Sequence, residues 1–357
     1  MHTGITLSET AAALVAPGRG ILAADESIGT MSSRLEAVGV AASAEARRAW
    51  RDLILTTPGL GEQISGIILC DETFRQAIDD GTPFPEAARR AGILPGIKVD
   101  TGAKPLAAAP EEKVTEGLDG LHDRLADYAH LGAAFAKWRG VLSIAAGTPS
   151  RQCLDANAHA LARYAALCQE AGIVPIVEPE VLMDGAHSIE ACEEVTTETL
   201  RVVMAALTSQ GVLLEGIVLK PNMVVPGSAS DQRSSAEQVA TTTVRVLRRC
   251  VPAAVPGIAF LSGGQAPDIA TANLQAINVL PVARPWQLTF SFGRALIEPV
   301  LGVWRGSSDN VEAARALLRT RARLTAAARD GRYDPSMETA AQREPTALAM
   351  TGPAPAL

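Results

Sequence analysis

Short apolar runs alternate with segments of helical periodicity along most of the chain. In eight of these runs the apolar residues are nearly continuous, many are β-branched, and a turn and a helical segment follow. Continuous apolar runs are typical of parallel strands that are buried on both faces, whereas half-exposed strands alternate apolar and polar residues. The pattern therefore predicts eight units of strand and helix. The predicted strands span residues 20–25, 64–71, 96–100, 135–142, 173–180, 214–220, 257–262 and 286–292.

Capping residues mark the ends of several predicted helices. Thr148, followed by Pro149, is predicted to be an N-cap with proline at the first helical position, and Gly172 is predicted to end that helix. Thr6 and Glu9 have the spacing of a capping box, which predicts a short helix that could cover the bottom of a barrel. Ser43 and Ser235 are further predicted N-caps, with helix ends at Pro58 and Pro252.

Eight such units in 357 residues predict a TIM (β/α)8 barrel, in the α/β class. The units use nearly the whole sequence and show no second composition regime, which favours a closed barrel over an open doubly wound sheet. We expect a single barrel domain over residues 1–333. Residues 334–357 are rich in Ala, Pro and Thr and are predicted to form a flexible C-terminal tail.

Charge and composition narrow the classes of partner. The net charge is −7 without a long basic block, so we expect no nucleic-acid partner. No apolar run approaches the roughly 20 residues that span a bilayer, and the N-terminus has no basic leader, so we expect no membrane association and a cytoplasmic location. The five cysteines form no CxxC pair and none of the five histidines closes a predicted strand, so we expect no metal site.

Polar residues close nearly every predicted strand. In a parallel barrel the active site lies at the C-terminal ends of the strands, so these residues are the candidates for chemistry. Any one of them could be a solvated strand end or a structural ion pair. So many charges on one rim are costly unless they are paired or used, which favours a functional site. The candidates are Asp25, Asp71, Glu72, Lys98, Asp100, Lys137, Arg139, Glu178, Glu180, Lys220, Ser262, Ser291 and Arg294.

Lys220 is the most informative of these residues. It follows an apolar run and precedes Pro221, so its amine is expected to start from an apolar wall, where desolvation lowers the pKa of a lysine. A lysine that is partly neutral near pH 7 can attack a carbonyl and form a Schiff base. Glu178 and Glu180, two residues apart on one strand, face the same side and can move the protons that imine formation requires. Lys220 alone could equally be an ion-paired lysine of the barrel.

A second group of residues has the pattern of a phosphate site. Ser262 and Gly263 follow the seventh predicted strand, and Ser291, Gly293 and Arg294 follow the eighth, where a helix begins. The loops after these two strands are the usual phosphate site of the fold, because free backbone N–H groups and a helix N-terminus face the anion there. Each motif alone is weak, since glycine after a strand is mostly turn chemistry. The pair at the expected strands favours a phosphorylated ligand.

Nine motifs follow one another along the chain: GILAADES (20–27), DDGTPFP (79–85), GIKVD (96–100), GLDGL (117–121), FAKWR (135–139), GIVPIVEPE (172–180), LKPNM (219–223), FLSGGQ (260–265) and LTFSFGRAL (288–296). Together, and in this order, they resemble the motifs of class I fructose-1,6-bisphosphate aldolase. The resemblance implies a TIM barrel, usually a homotetramer, that acts in glycolysis and gluconeogenesis on a phosphosugar. It also implies that no metal or other cofactor is needed, because a protonated imine withdraws the electrons that zinc withdraws in metal-dependent aldolases.

The resemblance also implies roles for individual residues. Lys220 would form the Schiff base with dihydroxyacetone phosphate or the open-chain hexose bisphosphate. Glu178 would be its acid and base, supported by Glu180. Asp25 would take the C4 hydroxyl proton as the C3–C4 bond breaks, in a region that Lys137 positions and charges. The phosphate on C1 would be bound by Ser262, Gly263, Ser291, Gly293 and Arg294, and the far end of the sugar by Lys98, Arg139 and Arg34.

Two alternatives remain open on the sequence alone. The same chemistry could act on another phosphorylated ketose, such as fructose 1-phosphate or sedoheptulose bisphosphate, because only contacts with the far phosphate separate these substrates. Ser33, where many relatives have a lysine, leaves fewer cations there. A barrel that only binds a phosphosugar is the other alternative. The reactive amine of Lys220 beside its acid and base argues against it.

The tail differs from that of the animal enzymes, which end in a tyrosine that takes part in proton exchange at C3. This sequence has no tyrosine after Tyr333. We predict that Glu178 or water protonates the intermediate, so removal of residues 353–357 changes turnover by less than about twofold. Steady-state cleavage of fructose 1,6-bisphosphate by the truncated protein checks this. A large loss of turnover would refute it.

Overall fold

Eight parallel strands close into a barrel in the computed structural model, which describes residues 6–338. The predicted TIM barrel is therefore confirmed. Strands β1 to β3 and β6 to β10 form the barrel, and β10 pairs with β1 to close it. Their bounds are β1 Gly20–Ala24, β2 Ile64–Leu69, β3 Leu94–Lys98, β6 Phe135–Leu142, β7 Val174–Val181, β8 Val218–Leu219, β9 Gly257–Phe260 and β10 Gln287–Phe292; β4 Gly102–Leu106 and β5 Ala109–Glu116 form a separate antiparallel hairpin.

Helices cover the outside of the barrel. The predicted N-caps at Ser43 and Ser235 are confirmed, since each hydroxyl accepts a hydrogen bond from the backbone N–H three residues on. The helices are α1 Leu7–Leu14, α2 Ile28–Ala37, α3 Ala44–Leu55, α4 Asp71–Phe74, α5 Phe84–Arg90, α6 Leu121–His130, α7 Arg151–Glu170, α8 Ile189–Ser209, α9 Ala236–Cys250, α10 Pro267–Val279, α11 Arg294–Trp304 and α12 Val311–Arg329.

The predicted N-cap at Thr148 is wrong. Helix α7 begins at Arg151, and Ser150 caps it by accepting a hydrogen bond from the N–H of Cys153 at 3.2 Å. The N–H of Ser150 in turn donates to the carboxylate of Glu112 on the hairpin, at 2.7 Å. This contact between distant parts of the chain sets the start of the helix, and the local Thr-Pro signal does not show it.

The sixth predicted strand is much shorter than expected. Residues 214–220 were predicted as one strand, but Leu214–Gly216 is a 3-10 turn and only two residues of β8 pair with β7. The side-chain amide of Gln169 on α7 donates to the carbonyl of Leu213 at 2.8 Å and to that of Gly216 at 3.3 Å. Because these carbonyls bond to a helix, they do not extend the sheet. Lys220 still continues the β8 direction, since its N–H donates to the Val177 carbonyl at 2.8 Å.

The hairpin between β3 and α6 was not predicted. Its strands are mostly exposed or half-buried and rich in charged residues, so they lack the apolar signal of the barrel strands. Leu106 and Val114 of the hairpin pack with Leu142 and Leu154, at the end of β6 and the start of α7. Thr115 adds a hydrogen bond of 2.6 Å from its hydroxyl to the Arg139 carbonyl. The hairpin is thereby held beside the C-terminal end of β6.

Helix α1 closes the N-terminal end of the barrel. The predicted capping box is confirmed, because Thr6 and Glu9 exchange hydrogen bonds between side chain and backbone. Ala11 and Leu14 of this helix are fully buried in a cluster with Phe135 and other inward-facing strand residues. The interior is crowded at this level: a Cβ atom on Gly96 would lie 2.2 Å from the Phe135 ring. The end of the barrel opposite the candidate site is therefore an apolar plug.

The predicted domain boundary at residue 333 stays a prediction. Tyr333 is buried, and its hydroxyl donates to Glu338 at 3.2 Å. Glu338 also forms an ion pair of 2.6 Å with the buried Arg321 of α12. The chain therefore packs on the barrel as far as residue 338, and the rest of the predicted tail lies outside the described residues.

The packing of α1 predicts that a substitution far from the candidate site lowers the stability of the fold. Leu14→Ala removes a fully buried side chain and leaves a cavity, so we expect a loss of about 2–5 kcal/mol in the free energy of unfolding. Urea unfolding followed by circular dichroism measures it. The matched variant Leu213→Ala, at a side chain that is 46% exposed, should change the value by less than about 0.5 kcal/mol. Equal effects of the two variants would contradict the role of α1 as a plug.

Candidate active site

A cavity of about 460 Å³ opens at the C-terminal ends of the barrel strands. Every residue to which the resemblance assigns a role lines it, although the strands that carry them are far apart in the chain. They are Asp25, Arg34, Lys98, Lys137, Arg139, Glu178, Glu180, Lys220, Ser262, Gly263, Ser291, Gly293 and Arg294.

The floor of the cavity is a chain of alternating charges. The Nζ of Lys220 lies 2.9 Å from Oε1 of Glu178, whose other oxygen, Oε2, lies 3.0 Å from the Nζ of Lys137. Lys137 also donates a hydrogen bond of 2.7 Å to Oδ2 of Asp25. All four side chains are buried. The contact between Lys137 and Oε2 of Glu178 is an ion pair without hydrogen-bond geometry, so Oε2 keeps a free acceptor position.

The pairing controls the protonation of these groups. Burial raises the pKa of Asp25, but the ammonium groups of Lys137 and Lys220 outweigh it and hold that pKa well below its usual range. Burial also raises the pKa of Glu178, and the same lysines together with Arg139 lower it below its usual value. For Lys137, the two carboxylates outweigh desolvation and raise its pKa above the usual value. Asp25 and Glu178 are therefore carboxylates at neutral pH.

A second set of pairs lies beside this floor. The guanidinium of Arg139 donates to Oε2 of Glu180. Burial lowers the pKa of Arg139, but the Glu180 carboxylate outweighs burial and raises this pKa above its usual value. The Nζ of Lys98 lies 2.8 Å from Oδ1 of Asp100, whose Oδ2 accepts a hydrogen bond of 3.3 Å from the N–H of Arg139. Asp100 thus links Lys98 to β6. It lines the cavity too, although the sequence singled it out only as a strand-end residue.

The loops after β9 and β10 form one wall of the cavity and have features that suit an anion. The hydroxyl oxygen of Ser291 is buried and has no hydrogen-bond partner, so this hydroxyl is free to form a hydrogen bond with a ligand. Gly263 has φ +60°, a conformation that favours glycine. At Gly293 a Cβ atom would lie 3.0 Å from the Ala23 carbonyl, and this residue precedes α11 without any side chain capping the helix. Arg294 follows as the first residue of that helix, so a cation and uncapped N–H groups face the same space.

Some strand-end residues do not reach the cavity. Asp71 pairs with Arg75 and accepts a hydrogen bond of 2.7 Å from the hydroxyl of Tyr128, on the outside of the barrel. Glu72 pairs with Arg47. These two are structural ion pairs, which is the ordinary alternative for a charged strand end.

Histidine and cysteine side chains are common metal ligands and can also contact a substrate. His187 does not line the cavity, and both ring nitrogens are buried without a hydrogen-bond partner. Within residues 6–338 no cluster of His, Cys, Asp or Glu side chains is arranged to hold a metal ion. The five cysteines are free thiols. In the same part of the chain no helix is both long and apolar enough to cross a membrane.

Comparison with known proteins decides the family. A family model described as "Glycolytic: Fructose-bisphosphate aldolase class-I" matches residues 6–350. The chain belongs to the class I fructose-bisphosphate aldolases. Membership makes it an enzyme that cleaves a carbon–carbon bond, a lyase, with fructose 1,6-bisphosphate as the substrate of the family.

Individual relatives agree with this family. A protein of Xanthomonas axonopodis pv. citri (strain 306), named "Probable fructose-bisphosphate aldolase class 1", is 52% identical over 328 residues, which cover 92% of this chain and 98% of the relative. "Fructose-bisphosphate aldolase 6, cytosolic" of Arabidopsis thaliana is 50% identical over 327 residues, 92% of this chain and 91% of the relative. A solved aldolase from Plasmodium falciparum, in complex with TRAP and a small-molecule inhibitor, superposes with a TM-score of 0.90 at 47% identity and covers 92% of this chain and 95% of that chain.

Several residues of the aldolase cavity were not predicted from the sequence. Glu26, Ser27 and Thr30 line it between β1 and the first turn of α2, and Gly102 and Ala103 line it from the hairpin. Glu26 follows Asp25 directly, so a charge at the end of the first strand was a signal that could have found it. The hairpin residues gave no signal, because their place in the cavity depends on packing against β6.

The low pKa of Asp25 predicts how the stability of the fold depends on pH. Its folded-state pKa lies below the value of about 3.9 for an unfolded aspartate, so Asp25 contributes stability above that pH and loses it as the pH falls. We expect the difference in unfolding free energy between the unmodified protein and Asp25→Asn to shrink from about pH 5 to about pH 3. Urea unfolding across this range measures it. A difference that does not change with pH would contradict the prediction.

Proposed function

We propose that the aldolase reaction proceeds through a Schiff base on Lys220. One observation carries the proposal: the Nζ of Lys220 is buried 2.9 Å from the carboxylate of Glu178, inside a cavity with a wall that suits an anion. An amine can attack a carbonyl only after it loses its proton, and a carboxylate at this distance accepts that proton.

Imine formation needs the same proton moved twice. Lys220 transfers a proton to Glu178 and attacks the C2 carbonyl of the open-chain sugar, which gives a carbinolamine. Glu178 then returns a proton to the leaving hydroxyl, which departs as water and leaves a protonated imine. Oε2 of Glu178 retains its ion pair with Lys137, so the carboxylate stays in place through both transfers.

Cleavage follows from the electron demand of the imine. Asp25 takes the proton of the C4 hydroxyl, the C3–C4 bond breaks, and its electron pair moves into the imine to form an enamine of dihydroxyacetone phosphate. Glyceraldehyde 3-phosphate departs. Protonation at C3 and hydrolysis of the imine release the second product and regenerate Lys220. The ammonium of Lys137 stabilises negative charge that develops near Asp25, and Glu180 keeps the Arg139 guanidinium beside Glu178.

The phosphate groups orient the sugar across the cavity. Ser262, Gly263, Ser291, Gly293 and Arg294 bind the phosphate on C1. The free hydroxyl of Ser291 and the uncapped start of α11 support this assignment. Lys98, Arg139 and Arg34 lie toward the far phosphate. Ser33 adds no cation there, and its hydroxyl donates to the Gly29 carbonyl of its own helix. Discrimination against other ketose phosphates depends on these residues.

The rest of the proposal follows from the family. The imine supplies the electron withdrawal that the reaction needs, so we expect no metal or organic cofactor and no loss of activity with a chelator. A phosphosugar is the partner. A homotetramer is part of the proposal. A cytoplasmic location is also part of it and agrees with the word cytosolic in the name of the Arabidopsis relative.

Borohydride trapping tests the role of Lys220. Reduction in the presence of dihydroxyacetone phosphate and EDTA should leave a stable adduct on Lys220, located by peptide mass mapping. Lys220→Arg should lose the adduct and lower turnover by on the order of 10³-fold or more, because a guanidinium forms no imine. The exposed control Lys104→Arg should keep both adduct and rate. A folded protein with no adduct anywhere would indicate a barrel that binds phosphosugars without turnover.

A further inference from the structure

Arg51 on α3 is buried and charged, yet it does not line the cavity. Its side chain is 2% exposed, and its Nη2 lies 2.6 Å from Oε2 of Glu26, which does line the cavity. A buried guanidinium is costly, and here the cost is larger because Nη1 of Arg51 is buried without a hydrogen-bond partner. This arrangement calls for a role of Arg51 beyond packing.

Glu26 is shared between two arginines. While Oε2 faces Arg51, Oε1 lies 2.5 Å from Nη1 of Arg34, on the second turn of α2. The Arg34 side chain is 26% exposed and lines the cavity. The three side chains therefore form a line from the buried face of α3, through one carboxylate, to a guanidinium that a ligand can reach.

Charge balance gives this line its effect. A pair of Glu26 and Arg34 would be neutral, and the carboxylate would offset the guanidinium that faces the ligand. With Arg51 added, the three groups carry one net positive charge, and Glu26 is already neutralised on its buried side. Arg34 can then share its donors with a phosphate without leaving a buried carboxylate unpaired.

We propose that Arg51 is a positioning residue that acts through Glu26 to hold Arg34 ready for the far phosphate of the substrate. This rests on the proposed function of the cavity. Arg51 does not touch the reacting atoms, so its loss should weaken substrate binding more than the chemical step. Fructose 1-phosphate lacks the far phosphate and should be nearly insensitive to the change.

Arg47 provides a matched control on the same helix. It lies one turn before Arg51, forms two hydrogen bonds with Glu72, of 2.8 and 2.6 Å, and donates to the Ser32 hydroxyl of α2 at 3.1 Å. It thus connects α3 to its surroundings with charged hydrogen bonds as Arg51 does, but it has no contact with Glu26. Arg47→Met should reproduce any general effect of a lost arginine on the docking of α3.

The test is a double-mutant cycle on steady-state kinetics. Arg51→Met should raise KM for fructose 1,6-bisphosphate about tenfold, with kcat within about threefold and the kinetics on fructose 1-phosphate within about twofold. In an Arg34→Met background the same change should have no further effect on KM, because its target is gone. Arg51→Lys, which keeps the charge, should recover most of the increase, and Arg47→Met should leave KM unchanged.

Other outcomes overturn the proposal. An unchanged KM in Arg51→Met, or an equal increase with and without Arg34, would show that Arg51 does not act through Arg34. Equal losses of kcat on both substrates would show a structural role alone. If Arg51→Met does not fold, the cycle is run with Arg51→Lys, whose ammonium lacks the planar donor pair. An increase in KM of about twofold that vanishes in the Arg34→Met background supports the proposal. The absence of any increase in KM overturns it. Failure of the proposed function is distinct, because it would appear as missing imine trapping in the unmodified protein.

Discussion

The candidate site depends on one carboxylate, Glu178, that separates two buried ammonium groups. Without it, Lys137 and Lys220 would place like charges together in a medium of low dielectric, where neither could stay charged without cost. With it, and with Asp25 beyond Lys137, two cations alternate with two anions. The attraction that stabilises these charges also places a carboxylate on each side of Lys137. In the proposed mechanism, the same contacts meet the requirement for stability and the requirement for catalysis.

Only a closed barrel brings these four residues together. Glu178 lies on β7, with Lys137 on the neighbouring strand β6 and Lys220 directly after β8 on the other side. Asp25 comes from the end of β1, which is not adjacent to β6 in the sheet, and reaches Lys137 across the interior. Strand order alone would leave Asp25 remote from the others. The curvature of the sheet, with apolar side chains and α1 filling its lower half, makes the contact across the barrel possible.

The sequence predicts the structural features whose causes lie within a few residues, and it misses those that depend on distant residues. Apolar runs and the polar residues that end them predict the strands and the cavity residues, because burial on both faces leaves a pattern within a few positions. The start of α7 and the short β8 were predicted wrongly, since Glu112 and Gln169 decide them from distant positions. Arg51 gave no signal either. A charged residue on a helix looks like a solvent-facing one until the fold buries it.

Arg51 also shows that a residue outside the cavity contributes to the charge balance of a residue that lines it. Charges at its floor are balanced among themselves, whereas the charge of Arg34 is balanced through Glu26 by a residue outside the cavity wall. A ligand phosphate that contacts Arg34 competes with Glu26 for the same donors. The free-energy cost of that competition depends on whether Glu26 keeps another cation as its partner. Two barrels with identical cavity linings could thus differ in phosphate affinity if only one has a buried cation behind the carboxylate. In the proposed arrangement, specificity for the far phosphate therefore extends beyond the residues that the ligand touches.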